Sequence, residues 1–260
     1  QIGTAFTSNI QMTRGGITGG IPTGINVAFN NLVGALYDMQ MAPGTFGVTG
    51  FQQGQEELNN FGTIRKSTPG MAGFGSMRIN NQGVIEALDG DIQLFDPTHL
   101  GSGSIVQFNG GAPTNSGPGP LSGGTWRAVG TARILFPANI TSNGATIILE
   151  GNGDIPQLTA LAANSGTFSL LGGRDFTRAG TFANSGKLVL GPDSTLTVNS
   201  TLTLGATSEI DFQIGGTPAS GLFGKVTALG AATLDGGADL ELVNGFDPQA
   251  GQAFQLMAFA

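Results

Sequence analysis

The sequence predicts an all-β protein, a right-handed parallel β-helix (β-solenoid) with coils of about 20 residues. Three observations carry this. Glycine supplies 45 of 260 residues and charged residues only 10%, against roughly 25% in ordinary globular domains. That balance disfavours amphipathic helices and leaves solubility to Ser, Thr, Asn and Gln. Short stretches alternate polar and apolar side chains, as in Lys187, Leu188, Val189 and Leu190, or Thr195, Leu196, Thr197 and Val198, so that aliphatics share one face of a strand. Finally, glycine recurs at Gly62, Gly83, Gly103, Gly124, Gly144, Gly166 and Gly186, at intervals of 21, 20, 21, 20, 22 and 20 residues.

Along the chain, residues 1–43 are irregular and read as an N-terminal cap or first coils. Ile25, Phe29, Leu32, Leu36 and Tyr37 fit one face of a helix. The alternation of Ile25, Val27 and Phe29, with Gly34 nearby, speaks for strands, and strands are preferred. Residues 44–215 form the solenoid, with the ladder extending weakly back to Gly44 and Gly24. Two places after the ladder glycines stand Ile64, Ile85, Ile105, Trp126, Phe168 and Leu188, expected to form one buried column; the strand after Gly144 fits with a one-residue slip. Two places before them stand Asn60, Asn81, Gly101, Ser122, Ser142, Asn164 and Asn184. These read as corners, because Asn and Gly tolerate left-handed backbone and stacked amides can bond from coil to coil. Arg65 and Glu86 fall three places after their glycines and should pair on the outer face of neighbouring coils. The stretch 110–123, with Pro113, Pro118 and Pro120 among glycines, is expected to bulge out as a loop. Residues 216–260 supply C-terminal coils or a cap.

Composition removes several function classes. Ten Lys plus Arg against 17 Asp plus Glu give a net charge of −7, which offers no basic footprint for nucleic acid or an anionic membrane surface. No apolar run approaches the roughly 20 residues of a spanning helix, so membrane insertion is not expected. The absence of cysteine removes disulfides, thiolate metal sites and thiol nucleophiles. Gln1, and the lack of a basic start followed by an apolar stretch, point to a processed product or an excised fragment.

Candidate chemistry is sparse. Asp89, Asp91 and Asp96 are the densest acidic group, yet they read as turn residues, since calcium takes six to eight oxygens. His99 is the only histidine and reads as a surface residue. Arg174, Asp175 and Arg178 have the charge to hold an acidic sugar, but Phe176 between them fits a core position and turns them outward. Trp126 falls on the inward column rather than on a glycan platform. Thr195, Thr197, Thr201 and Thr203 suggest a threonine array but are not expected to recur on neighbouring coils. Asn139 and Asn199 begin glycosylation sequons. No catalytic, cofactor-binding or metal residue is assigned, no cofactor is expected, and the ligand-binding residues stay unknown.

The stretches NSGTFSLLGG (Asn164–Gly173), LSGGTW (Leu121–Trp126), NSGKLVLGPDSTLTV (Asn184–Val198) and ATLDGGADLELVNGFDPQAGQAFQLM (Ala232–Met257) resemble the β-strand repeats of secreted bacterial surface proteins, including autotransporter-passenger-like β-solenoids. The resemblance covers roughly residues 58–260. It implies an extracellular or cell-surface location and a structural or adhesive role. The expected function is thus a non-enzymatic structural β-solenoid of a cell surface, matrix or self-assembling filament, whose first partner is another copy of itself. A glycan-binding adhesin that takes surface glycans is the first alternative, and a polysaccharide lyase or hydrolase on a β-helix the second.

Overall fold

The computed structural model describes residues 10–14, 27–40, 48–49, 57–75, 78–94, 107–108 and 117–260. The protein is all-β, with strands in three sheets of five, 15 and four members. Every pairing between named strands is parallel except one, that of Ile10–Arg14 with Val27–Asn31. Two short 3-10 turns, Pro156–Ala160 and Pro218–Ser220, are the only helical segments among the described residues.

Strand register brings one residue from each layer into a column: Tyr37, Ile64, Ile85, Trp126, Ile147, Phe168, Leu188, Ile210 and Ala238. All but the last are buried. The glycine alignment placed most of this column but included one false member. Trp126 pairs directly with Ile85, so no strand after Gly103 intervenes, while Gly103 and Ile105 themselves lie outside the described residues. Gln107–Phe108 pairs instead with Arg78–Ile79 in the five-stranded sheet. The adjacent inward column runs Lys66, Ala87, Ala128, Leu149, Leu170, Leu190, Phe212 and Leu240. Its two alanines flank the layer that holds Trp126, whose indole packs 5.0 Å from the Phe136 ring. Small residues there leave room for the bulky pair, which keeps the interior at close-packed density.

The glycines recur for a reason other than left-handed backbone. A Cβ at Gly62, Gly83, Gly166 or Gly186 would lie 2.4, 2.1, 2.1 or 2.2 Å from a backbone carbonyl oxygen of the layer below. Main chain meets main chain there, and only a hydrogen fits. Nor are the corner asparagines left-handed, since among non-glycine residues only Asp193 and Asn244 have positive φ. They stack. Asn31 Nδ2 donates to Asn60 Oδ1 and Asn60 Nδ2 to Asn81 Oδ1, both at 2.7 Å. Asn143, Asn164 and Asn184 repeat the arrangement, again at 2.7 Å. In that second ladder Asn143, not Ser142, holds the corner. Between the two ladders the buried Leu121 takes the place of an amide, and the extra residue is absorbed at Gly123 and Gly124, with φ of 79° and 65°.

Two further expectations change. Part of the Pro/Gly stretch is strand, because Gly119–Gly130 is continuous and pairs in parallel with Ile140–Gly151. Pro120 can join because proline needs only to forgo one donor; residues 110–116 lie outside the described set. At the other end, Val27–Asn31 and Leu36–Asp38 are strands paired in parallel with Glu57–Asn60 and Thr63–Gly75. Gly24 and Gly44 lie outside the described residues. No helix among the described residues is long and apolar enough to cross a membrane.

Candidate functional site

The residues singled out from the sequence are mostly used up in structure. Asp91 receives Arg133 through Nη2 at 2.6 Å and Nε at 3.1 Å, whereas Asp89 is exposed and Asp96 lies outside the described residues, as does His99. Arg174 Nη2 donates to Asp154 at 2.5 Å. Asp175 accepts the Thr195 amide at 2.8 Å, and Arg178 donates to the carbonyls of Thr159 and Thr181 at 2.8 and 3.2 Å. Phe176 is buried and meets Phe168 edge-on at 5.1 Å. Trp126 is buried, with Nε1 donating to the Gly123 carbonyl at 3.0 Å. Asn139 and Asn199 are both exposed.

One expectation about threonine is overturned. Thr177, Thr197 and Thr227 do stand on adjacent strands. The recurrence was hidden because the second interval is 30 residues, lengthened by the excursion around Pro218–Ser220. The array stops at a single column, since the partner of Thr195 is Lys225.

Charge gathers on the outward side of the last layers. Glu209, Asp211 and Asp239 bring carboxylate oxygens within 4.8 Å of one another. Register explains it: Asp211 lies beside Asp239, and Glu209 beside Lys187, one layer earlier. Lys187 Nζ bonds Asp211 at 2.6 Å and Glu209 at 2.8 Å. The hydrogen bond to Asp211, then that to Glu209, raises the proton affinity of Lys187 well above the ordinary lysine range. An ammonium thus neutralises two of the three acids, and the group is an ion-pair network. No residue in it is a free acid–base pair for hydrolysis, and its few oxygens fall short of a calcium shell.

The same end carries the most unusual apolar surface. Gly237–Leu242 pairs over six residues with Glu209–Ile214, yet all six of its side chains are exposed. Leu240 and Leu242 are 61% and 52% exposed, although Phe212 and Ile214 directly beneath are buried. Phe259 is likewise 55% exposed above the buried Ala228. These residues occupy core positions in a layer with nothing over it. The turn into this strand is enforced: Gly236 has φ of 85°, and a Cβ there would lie 2.3 Å from the Ser208 carbonyl oxygen. Past the strand, Phe254 packs against Phe223 at 5.3 Å and Phe246 at 6.2 Å, which anchors the return to Met257–Phe259. Sequence reading missed this end because an uncovered leucine has the same local pattern as a covered one. Comparison with known proteins found no matching family model, no matching curated protein and no matching solved structure.

Proposed function

We propose that the chain is a right-handed parallel β-helix that serves as a non-enzymatic structural element of a cell surface, extracellular matrix or filament, lengthened by strand addition at its C-terminal end. The observation that carries this reading is the inward column from Tyr37 to Ala238, in register over nine strands and uncovered only at its last member. Repetition, rather than a pocket, is what the chain has built. The bacterial surface-repeat resemblance of Asn164–Gly173 and Ala232–Met257 supports the extracellular location. Both aromatics that would suit a glycan platform, Trp126 and Tyr37, are buried, which favours a structural over an adhesive role.

Spin-label pairs on outward positions test the architecture. From Arg65 to Val189 is five strand steps and from Arg65 to Asp239 seven, so dipolar distances should grow by about 4.8 Å per step, to roughly 24 and 34 Å. The same protein should release no reducing ends or unsaturated uronides from neutral or acidic polysaccharides. Distances that do not scale with layer number would remove the β-helix, and turnover of any glycan would replace the structural role with an enzymatic one.

A further inference from the structure

The two ends of the stack differ. At the N-terminal side Tyr37 and Met39 are buried, and Ile10–Arg14 closes the five-stranded sheet by pairing antiparallel with Val27–Asn31. At the C-terminal side the core positions Leu240, Leu242 and Phe259 are open, and the Gly237–Leu242 strand has only one neighbour. Such an edge offers unpaired main-chain donors and acceptors next to apolar sockets, the arrangement that recruits an added strand.

Charge decides what strand fits. Through the rest of the stack, outward acids face cations on a neighbouring layer: Glu86 lies between Arg65 and Arg127, Glu150 faces Arg127, Asp91 faces Arg133, and Asp211 faces Lys187. On the open strand the outward residues are Asp239 and Glu241, and neither has an ion pair among the described residues. Residues 201–260 hold six acids and a single lysine, Lys225, which lies over the Phe223 ring at 4.6 Å. A cation for the edge must come from the strand that covers it.

Resting on the β-helix reading above, we propose that the Gly237–Leu242 edge and the apolar layer beside it form a docking surface for a strand of a partner protein that alternates large apolar residues with Lys or Arg. Its apolar side chains cover Leu240 and Leu242, and its cations meet Asp239 and Glu241. A second copy fits poorly. Tail to tail, Asp239 and Glu241 would oppose their own counterparts, and like charges across a strand pair repel. Head to tail, the incoming strand Leu36–Asp38 presents another acid, Asp38, and its core residues are already covered.

The probe is a synthetic peptide of about ten residues alternating Leu with Lys, against a control in which each Lys is Glu; binding is read by fluorescence anisotropy at two salt concentrations. The Lys peptide should bind about tenfold or more tightly than the Glu peptide, and should weaken with salt. Leu240→Asp should abolish binding, and Asp239→Lys with Glu241→Lys should invert the preference; circular dichroism confirms that each variant keeps its β signature. Should Leu240→Asp fail to fold, the charge inversion still decides. Equal binding of both peptides, or no inversion in the double variant, overturns the proposal. So does a dimer in sedimentation equilibrium that Leu240→Asp dissolves, because the occupant is then a second copy. The spin-label distances are independent of peptide binding, so a correct β-helix with no charge-selective edge is separable from a wrong fold.

Discussion

Arg65 Nε donates to Glu86 Oε1 at 2.7 Å, and Glu86 exposes only 7% of its side chain. Arg127 reaches the other carboxylate oxygen at 3.3 Å and continues to Glu150 at 2.8 Å. The pairing follows from the glycine alignment, but an exposed pair contributes only about 0.2 to 1 kcal/mol, and Glu86 is not exposed. Glu86→Ala leaves two guanidinium groups side by side without their shared anion. Their own partial exposure softens the cost, so urea titration should show a loss of about 1.5 to 3 kcal/mol, with Glu86→Gln in between. A loss within that of an ordinary surface pair would mean that the arginines find other partners.

Gly186 and Gly144 hold similar places in the sequence ladder but not in the structure. A Cβ on Gly186 would sit 2.2 Å from the Gly166 carbonyl oxygen, whereas the nearest atom to one on Gly144 is Ser165 Oγ at 3.6 Å. Gly186→Ala should therefore separate two layers and lower the denaturation midpoint sharply. Gly144→Ala should be neutral, or stabilise by about 0.4 to 1 kcal/mol through the unfolded chain. Equal effects would show that the glycines serve chain flexibility rather than layer contact.

Lys66 occupies a core position and is fully buried, its Nζ held by the Thr68 carbonyl, by Thr68 Oγ1 at 2.7 Å and by the Pro69 carbonyl at 3.3 Å. Burial lowers its proton affinity, opposed by the charges of Asp89 and Asp38. The unfolded chain then binds the proton more tightly than the native one, so stability should rise with pH between the lowered native pKa and the ordinary lysine value of about 10.4. Tyr37 acts the other way above about pH 10, since burial raises its pKa. Unfolding midpoints between neutrality and about pH 9.5 should therefore climb in the wild type and stay flatter in Lys66→Met. A slope unchanged by the substitution would assign the pH dependence to another group.

What the sequence reveals is what repeats locally. Ile64, Ile85, Trp126, Phe168 and Leu188 share a column because alternation and the glycine step together place them there. Ile105 has the same local pattern and no such place, since membership depends on which strand pairs with which, and the main column leaps 41 residues from Ile85 to Trp126. The Lys187 network spans Lys187 to Asp239 across two layers, and the threonine column crosses an interval of 30. Both are contacts between layers of unequal length, which a fixed period does not show. Lys66 was invisible for a different reason. Its position reads as the edge of a charged outer face, and only the turn carbonyls of Thr68 and Pro69 make an inward ammonium tolerable.

Phe212 and Leu240 lie side by side in register on adjacent strands, one 1% exposed and the other 61%. They belong to the same inward column, so any difference between them measures cover alone. Phe212→Asp places a carboxylate between packed layers with no cation in reach, and the chain should fail to reach its β-rich state by circular dichroism, since an unpaired buried charge costs more than a layer contributes. Leu240→Asp puts the same group where water already reaches and should shift the urea midpoint by no more than an ordinary surface change, within about 0.5 kcal/mol. Should Leu240→Asp prove as damaging as Phe212→Asp, then the last layer is covered in solution, and the surface proposed for an added strand is already filled.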